Sequence, residues 1–425
     1  VRHGAGVFLF LLLAGAFPSR AAEPEPEYHW RIFPLPNVSR VLLKLTEQRG
    51  QSISGSSDDV DFSELRGLDR SQTFGSKVLF QIHRDAGTLY CTGAFALGFG
   101  DGAVSFQPDA RFVDALRGLG YAPPDRDRLF HLAVSNLRLS YIREVHDACN
   151  CAGTLDSVVE LADHGVDAGY LRTLRRSGMT DLTSREVVML RDHGVSEDLL
   201  AGARDAGYTL RPDDFVRLQD HGVSGRYVRQ VKEAGLRASA EELIALHDHG
   251  VDASLVRASR ESGLNAPAEW LIKMHDHGVS PQFVLDMVRA FRPPVDAAGL
   301  IELQDHGIST GFAKRLAESG FENEKPADVI RLAEHGVPPD LLSQVHASHR
   351  EALSVDDVIL LHENGVSPDF LRDFDAAGYA SLGARDLVAL QNNGVTAGYA
   401  RKLRSEGYGN LTVAQLIKFK QHGME

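Results

Sequence analysis

Histidine recurs immediately before glycine along most of this chain. His164, His193, His221, His249, His277, His306 and His335 are followed by Gly165, Gly194, Gly222, Gly250, Gly278, Gly307 and Gly336, at steps of 28 or 29 residues. An acid often stands just before the histidine, as at Asp163, Asp192, Asp220, Asp248, Asp276 and Asp305. Three chemistries fit that spacing: a ladder of metal ligands, a row of catalytic bases, or one kind of helix end. Atoms sharing a metal ion lie within roughly 4 Å of one another, whereas equivalent residues of successive helix pairs lie roughly 8–10 Å apart. The pairs His247/His249 and His275/His277 point to different sides of a helix. Asn364 and Asn393 fill the same slot, and asparagine replaces an imidazole ligand poorly while still serving a helix end. The first junction, Ser135-Asn136-Leu137, has neither histidine nor glycine. A capping role in the last helical turn accommodates all of this, with the imidazole bonding free carbonyls and, when protonated, suiting the helix dipole.

Other chemistry-bearing groups are sparse. The recurring Asp-His pair resembles part of a catalytic triad, but its regular repetition marks a structural unit where an enzyme needs one singular site. The chain has no HExxH, no phosphate-binding loop and no dinucleotide fingerprint, so the reading is non-enzymatic, without cofactor or metal. The glycine-rich run from Gly98 to Gly102 joins two strand-like stretches and reads as a turn. His83-Arg84-Asp85 lacks every other kinase signature. The three cysteines are Cys91, Cys149 and Cys151. The close spacing of Cys149 and Cys151 disfavours their mutual bridge, so the expected disulfide joins Cys91 to Cys149 or to Cys151, three unpaired thiols being the alternative.

The elements that carry these residues change type near residue 109. From Asp109 the chain is self-similar, and aligned aromatic or aliphatic anchors define eleven copies of 28 or 29 residues: Phe112, Tyr141, Tyr170, Leu199, Tyr227, Leu255, Phe283, Phe312, Leu341, Phe370 and Tyr399. Each copy reads as two short helices. Asp109, Asp167, Ser196, Ser224, Asp252, Ser280, Ser309, Ser367 and Thr396 are placed to cap the first. Glycines such as Gly120, Gly178 and Gly207 end it. Capping boxes open the second at Thr183/Glu186, Ser239/Glu242 and Thr412/Gln415. The aromatic stripe, at helical spacing, reads as core between stacked helices. Two turns break the rule, where Phe291 and His349 displace the usual glycine; the plain reading is that they are tolerated, the sharper one that they mark a site.

Before residue 109 the apolar period is two. Stretches at 39–48, 77–85, 88–98 and 103–109 read as strands, with Val78, Phe80 and Ile82 on one face. Asp85-Ala86-Gly87 marks a hairpin. At the other end, Arg2 and His3 precede the apolar run "AGVFLFLLLAGAF", with small residues at Ser19 and Ala21. That pattern is expected of a signal peptide (1–21) cleaved near Ala21, giving an exported protein, periplasmic or secreted; the run falls short of the roughly 20 residues that span a bilayer. The expected organisation is therefore α+β: an antiparallel β-domain over 28–108, then an α-solenoid over 109–425. The net charge of -13, nearly all of it after residue 109, disfavours nucleic acid and anionic membranes and favours basic partners.

The unit "HGVSPDFLRDFDAAGYASLGARDLVALQNNGV" resembles the repeats that follow the peptidase domain of bacterial membrane antirepressor metallopeptidases of the β-lactam-sensing type. "RDAGTLYCTGAFALGFGDGAVSFQPD" is similar to a β-rich segment found with such repeats. The resemblance implies an architecture without the reaction, since the zinc-peptidase motif is missing here. It implies at most the recognition part of a sensor, with association with a membrane sensor protein. The hairpins at Gly165-Val166, Gly194-Val195 and Gly222-Val223 also resemble the helix-hairpin-helix DNA-binding unit. Asp167, Ser196 and Ser224 stand where that unit has its second glycine, so the likeness is one of shape. The function expected is an interaction scaffold for a protein or peptide, with a small-molecule or glycan site on the β-domain as the alternative, no nucleic acid and no stable membrane insertion.

Overall fold

The computed structural model describes residues 27–36, 39–49, 52–69, 76–348, 353–409 and 411–424. The expected signal segment and His349 lie outside them. Between residues 27 and 108 the described residues form one antiparallel sheet, and those described after it are helical, as the α+β reading expected. The six strands are β1 (Glu27–Pro34), β2 (Arg40–Arg49), β3 (Ser52–Asp61), β4 (Ser76–Arg84), β5 (Gly87–Ala96) and β6 (Phe99–Pro108), in the order β3-β2-β1-β6-β5-β4. Two three-stranded meanders are thus joined along β1 and β6.

Alternation decides which side each strand buries. Trp30 and Ile32 of β1, Val41, Leu43 and Leu45 of β2, and Val78, Phe80 and Ile82 of β4 all point into one core, while Leu79 is 63% exposed. The sheet is curled. Trp30 and Phe80 stand on strands separated by two others, about 14 Å apart in a flat sheet, yet their ring centroids lie 4.8 Å apart, edge to face. The Trp30 indole N–H donates to the Thr92 carbonyl at 3.1 Å. After β3, a short 3-10 turn (Phe62–Glu64) leads to Arg66, which exchanges two backbone hydrogen bonds with Gln81 of β4, each 2.9 Å. The free side of β4 is paired there and so shielded from other strands.

Two expectations about this region change. Four strands were expected; β1 and the polar β3 are added, the latter held by backbone pairing all along β2. The glycine turn contracts to Leu97-Gly98, and Phe99 to Gly102 lie inside β6. Gly100 and Gly102 serve close packing: a Cβ on Gly100 would sit 2.8 Å from the Trp30 ring, and one on Gly102 2.0 Å from the Thr92 carbonyl.

By packing, the chain divides into two compact units, one up to Val188 and one from Met189. The change of element type near residue 109 is therefore not the end of the first unit. Its first helices cover the sheet: Phe130, in the helix Arg126–Val134, lies 3.6 Å from the Tyr28 ring and 5.7 Å from Phe106 between centroids. Arg126 donates to the Phe106 carbonyl at 3.0 Å. His131 pairs with the buried Glu47 at 3.0 Å. Asp85, read as part of a chance tripeptide, accepts the Leu139 N–H at 2.8 Å. It caps a helix, Leu139–Ala148, whose own N-cap residue, Arg138, makes no side-chain cap bond.

Twenty-two α-helices follow the sheet among the described residues, matching eleven pairs. In the second unit they form two layers, because first helices pack on first helices and second on second. Gly225–Glu233 lies against Glu197–Asp205, and Ala240–Asp248 between Pro212–Asp220 and Ala268–Asp276. Each repeat thereby buries on its neighbours an apolar seam it could not bury alone. All nine expected N-caps of the first helices accept a backbone N–H, for example Asp167 from Tyr170 at 2.8 Å and Ser280 from Phe283 at 3.1 Å. The three expected capping boxes close as well, as in Ser239/Glu242 at 2.7 and 3.2 Å.

Candidate functional site

Each of His164, His193, His221, His249, His277, His306 and His335 directly follows the last residue of a second helix. The next glycine is left-handed every time, with φ between 64° and 74° from Gly165 through Gly194, Gly222, Gly250, Gly278 and Gly307 to Gly336. The residue after it is buried and closes the end. At the third repeat of this kind, the Gly222 N–H donates to the Gln219 carbonyl and the Val223 N–H to that of Leu218, both at 2.9 Å. These two bonds take up the carbonyls the imidazole was expected to bond. The position of the histidine is as expected; from His193 to His335 its bond is not.

The imidazole reaches the next repeat instead. Nδ1 of His193, His221 and His277 lies 3.0, 2.8 and 2.9 Å from Asp220, Asp248 and Asp305. His249 lies 3.1 Å from Asp276, His306 2.9 Å from Glu334, and His335 2.7 Å from Glu363. Each carboxylate belongs to the last residue of the following second helix, so six rungs join consecutive repeats in the second unit. An acid in that place opposes the helix dipole. The local sequence gains nothing from it, and that is the signal from which the ladder could have been read.

The asparagine slots work the other way. The side chains of Asn364 and Asn393 donate to carbonyls four residues back, Leu360 and Ala389, at 2.9 and 2.8 Å. Their own oxygens accept from Asn392 and Gln421 at 3.3 and 2.9 Å. The ladder continues with amides in place of imidazole and carboxylate. At the first junction Asn136 takes the left-handed place of glycine, φ 50°, and Leu137 closes the end on Leu132 at 3.0 Å.

The rungs are surface features, His221 being 47% and Asp248 42% exposed. Such pairs contribute under about 1 kcal/mol each. Among the described residues no group of three or more His, Cys, Asp or Glu is arranged to hold a metal ion. No helix among them is long and apolar enough to cross a membrane. The aromatic residues stitch repeats together: Tyr141, Tyr227 and Tyr399 donate to the carbonyls of Val166, Val251 and Met424 at 2.7, 2.8 and 2.7 Å. Burial pushes the Tyr141 phenol up to about 12, with the Asp167 and Asp163 carboxylates adding to it. Phe291 is core, at 1% exposure.

What remains outward in the second unit differs between layers. Second helices present acids in their first turns, among them Asp213, Glu241 and Glu269. First helices present cations, such as Arg226, Arg229, Arg257 and Lys314. In the first unit, the outer face of the sheet carries a hollow of about 530 Å³ between Phe33, Phe99, Ala94 and Ala96, bordered by Arg31 and Asp101.

The cysteines correct the expected pairing. Cys149 and Cys151 are bridged to each other, with Cα atoms 5.1 Å apart, and Cys91 is free and buried. Cys91 points into the sheet core, where burial pushes its thiol up to about 12. Cys149 is extended (φ -147°, ψ 132°) and a 3-10 turn follows at once. That change of direction brings two residues of close spacing face to face.

The fold thus defines an α+β protein whose helical part is a stack of near-identical pairs. No family model matches the chain, and no curated protein proves similar to it.

Proposed function

We propose that this protein is an exported, non-enzymatic interaction scaffold, whose repeat surface binds a protein or peptide partner. The observation that carries the reading is the division of labour in the array. Recurrent residues (caps, tyrosines, ladder rungs, apolar seam) are consumed in joining repeats, and the outward positions vary from one repeat to the next. A site for chemistry is singular, whereas a binding surface extends with the stack. The acids of the second-helix layer suit a basic segment. A bridge between Cys149 and Cys151 is consistent with export, since disulfides persist in oxidising compartments. The resemblance to antirepressor repeats makes a place beside a membrane sensor protein the natural setting.

The test is photo-crosslinking from the full chain in its producing cell, with the reactive group at Glu241 on the second-helix layer, Arg226 on the first, or Phe99 on the sheet. A defined protein captured from Glu241 or Arg226, and absent from Phe99, is expected. Capture from no array position would sink the scaffold reading. A second reading, a small-molecule or glycan module, rests on the hollow beside Phe33 and Phe99. A saturable ligand-induced shift in the spectra of residues 28–108 would favour it.

A further inference from the structure

We propose that Cys149 and Cys151 form a thiol–disulfide exchange site, whose substrate is a peptide or protein segment carrying two cysteines and an apolar neighbour. The proposal goes beyond the scaffold reading: it leaves binding by the repeat surface untouched and adds one stoichiometric, non-catalytic exchange per chain.

Four observations point there. First, the bridge closes a step of two residues. The stability a disulfide draws from loop closure grows with loop length, so here it is near its minimum. The bridge links no distant elements. Second, the turn is held by other bonds. The Tyr121 hydroxyl donates to the Ala152 carbonyl at 2.8 Å, the Cys149 N–H donates to the Val145 carbonyl at 3.0 Å, and Thr154 caps the next helix by accepting the Ser157 N–H at 3.1 Å. Breaking the sulfur–sulfur bond leaves these in place.

Third, the two cysteines differ in exposure. Cys151 is buried, and Cys149 is half-buried beside a crevice of about 90 Å³. Leu171, Leu174, Met179 and Leu182 line it, with Arg175 and Asp147 at its border. Its size and lining suit one apolar side chain next to an incoming cysteine. Fourth, the Cys151 N–H points at the Cys149 sulfur, 2.9 Å away. Such a donor stabilises a thiolate there.

The chemistry follows from this asymmetry. A substrate thiolate attacks the sulfur of Cys149, the more exposed cysteine, and forms a mixed disulfide. The Cys149–Cys151 bond breaks, and its electron pair leaves on the Cys151 sulfur, which takes a proton from solvent. The second substrate thiol, losing its proton to solvent, then attacks its own chain's sulfur in the mixed disulfide. Cys149 departs as a thiolate held by the Cys151 N–H. Two electrons pass from the substrate dithiol to the bridge, and one substrate disulfide forms per chain. Cys91, buried in the sheet, takes no part.

The experiment uses the folded full chain and maps modified peptides by mass. Reduction by a synthetic dithiol peptide with leucine beside its first cysteine is expected in native buffer, with the helical signal unchanged, and more slowly when that leucine is aspartate. With oxidised glutathione as probe, Cys151→Ala is expected to collect a mixed disulfide at Cys149 at least about tenfold faster than Cys149→Ala does at Cys151. Reduction of the unmodified chain only in denaturant would overturn the proposal, as would equal labelling of the two variants. Should either variant unfold, the comparison of native and denatured reduction in the unmodified chain still decides.

Discussion

The sheet and the repeat array keep their structure by opposite means. In the sheet a large core residue has its own distant partner: Trp30 meets Phe80 across two intervening strands. In the array a role passes from residue to residue, so that histidine, asparagine and even the Ser135-Asn136-Leu137 junction end helices in the same way. A closed curl depends on long-range partners; a stack depends on neighbours alone. Damage should therefore be concentrated in the sheet and diluted in the array.

The largest effect is expected from Trp30→Ala. Removing the ring from the curl should cost about 3–5 kcal/mol, read as a lowered unfolding midpoint in denaturant. A cost below 1 kcal/mol would break the contrast. Gly225→Ala probes a place where the array behaves like the sheet. A Cβ there would stand 1.8 Å from the Asp198 carbonyl oxygen, between two helices in near backbone contact. The expected loss is about 1–3 kcal/mol, against a gain of up to about 1 kcal/mol for alanine at the open, helical Gly398.

The tyrosine stitches give a test with pH. The folded Tyr141 phenol ionises near 12, above its ordinary value of 10. The unfolded chain therefore releases its proton first, and stability should fall as pH rises from 10 toward 12. Tyr141→Phe should flatten part of that fall and cost about 1 kcal/mol at neutral pH through the lost bond to Val166. An alkaline profile unchanged by the substitution would refute the assignment. His221→Asn should have the smallest effect, within about 0.5 kcal/mol, because asparagine at 364 and 393 already ends helices by bonding a carbonyl four residues back. A large loss would mean that the ladder holds the stack.

The legible parts were those whose causes are local. Periodicity gave the helix pairs, and the caps at Asp167, Ser239 and Thr412 needed only neighbours within three residues. The ladder was half legible. The histidine's slot could be read, but its partner lies 27 or 28 residues on, and the one local sign of it is the acid that opposes the helix dipole just before each histidine. The polar β3 escaped because backbone pairing with β2, which no pattern of side chains announces, holds it. The bridge was misread because close spacing was weighed without the turn that follows Cys149.

By itself the sequence determined the count of repeats, the helix ends and the switch from period two to a helical period, all of which rest on contacts within one turn or one strand. Only the tertiary structure decided the curl around Trp30, the covering of the sheet by Phe130, the partners of the histidines and the pairing of the cysteines. Those depend on which surfaces meet, and residues far apart in the chain become neighbours only when the backbone has closed around them.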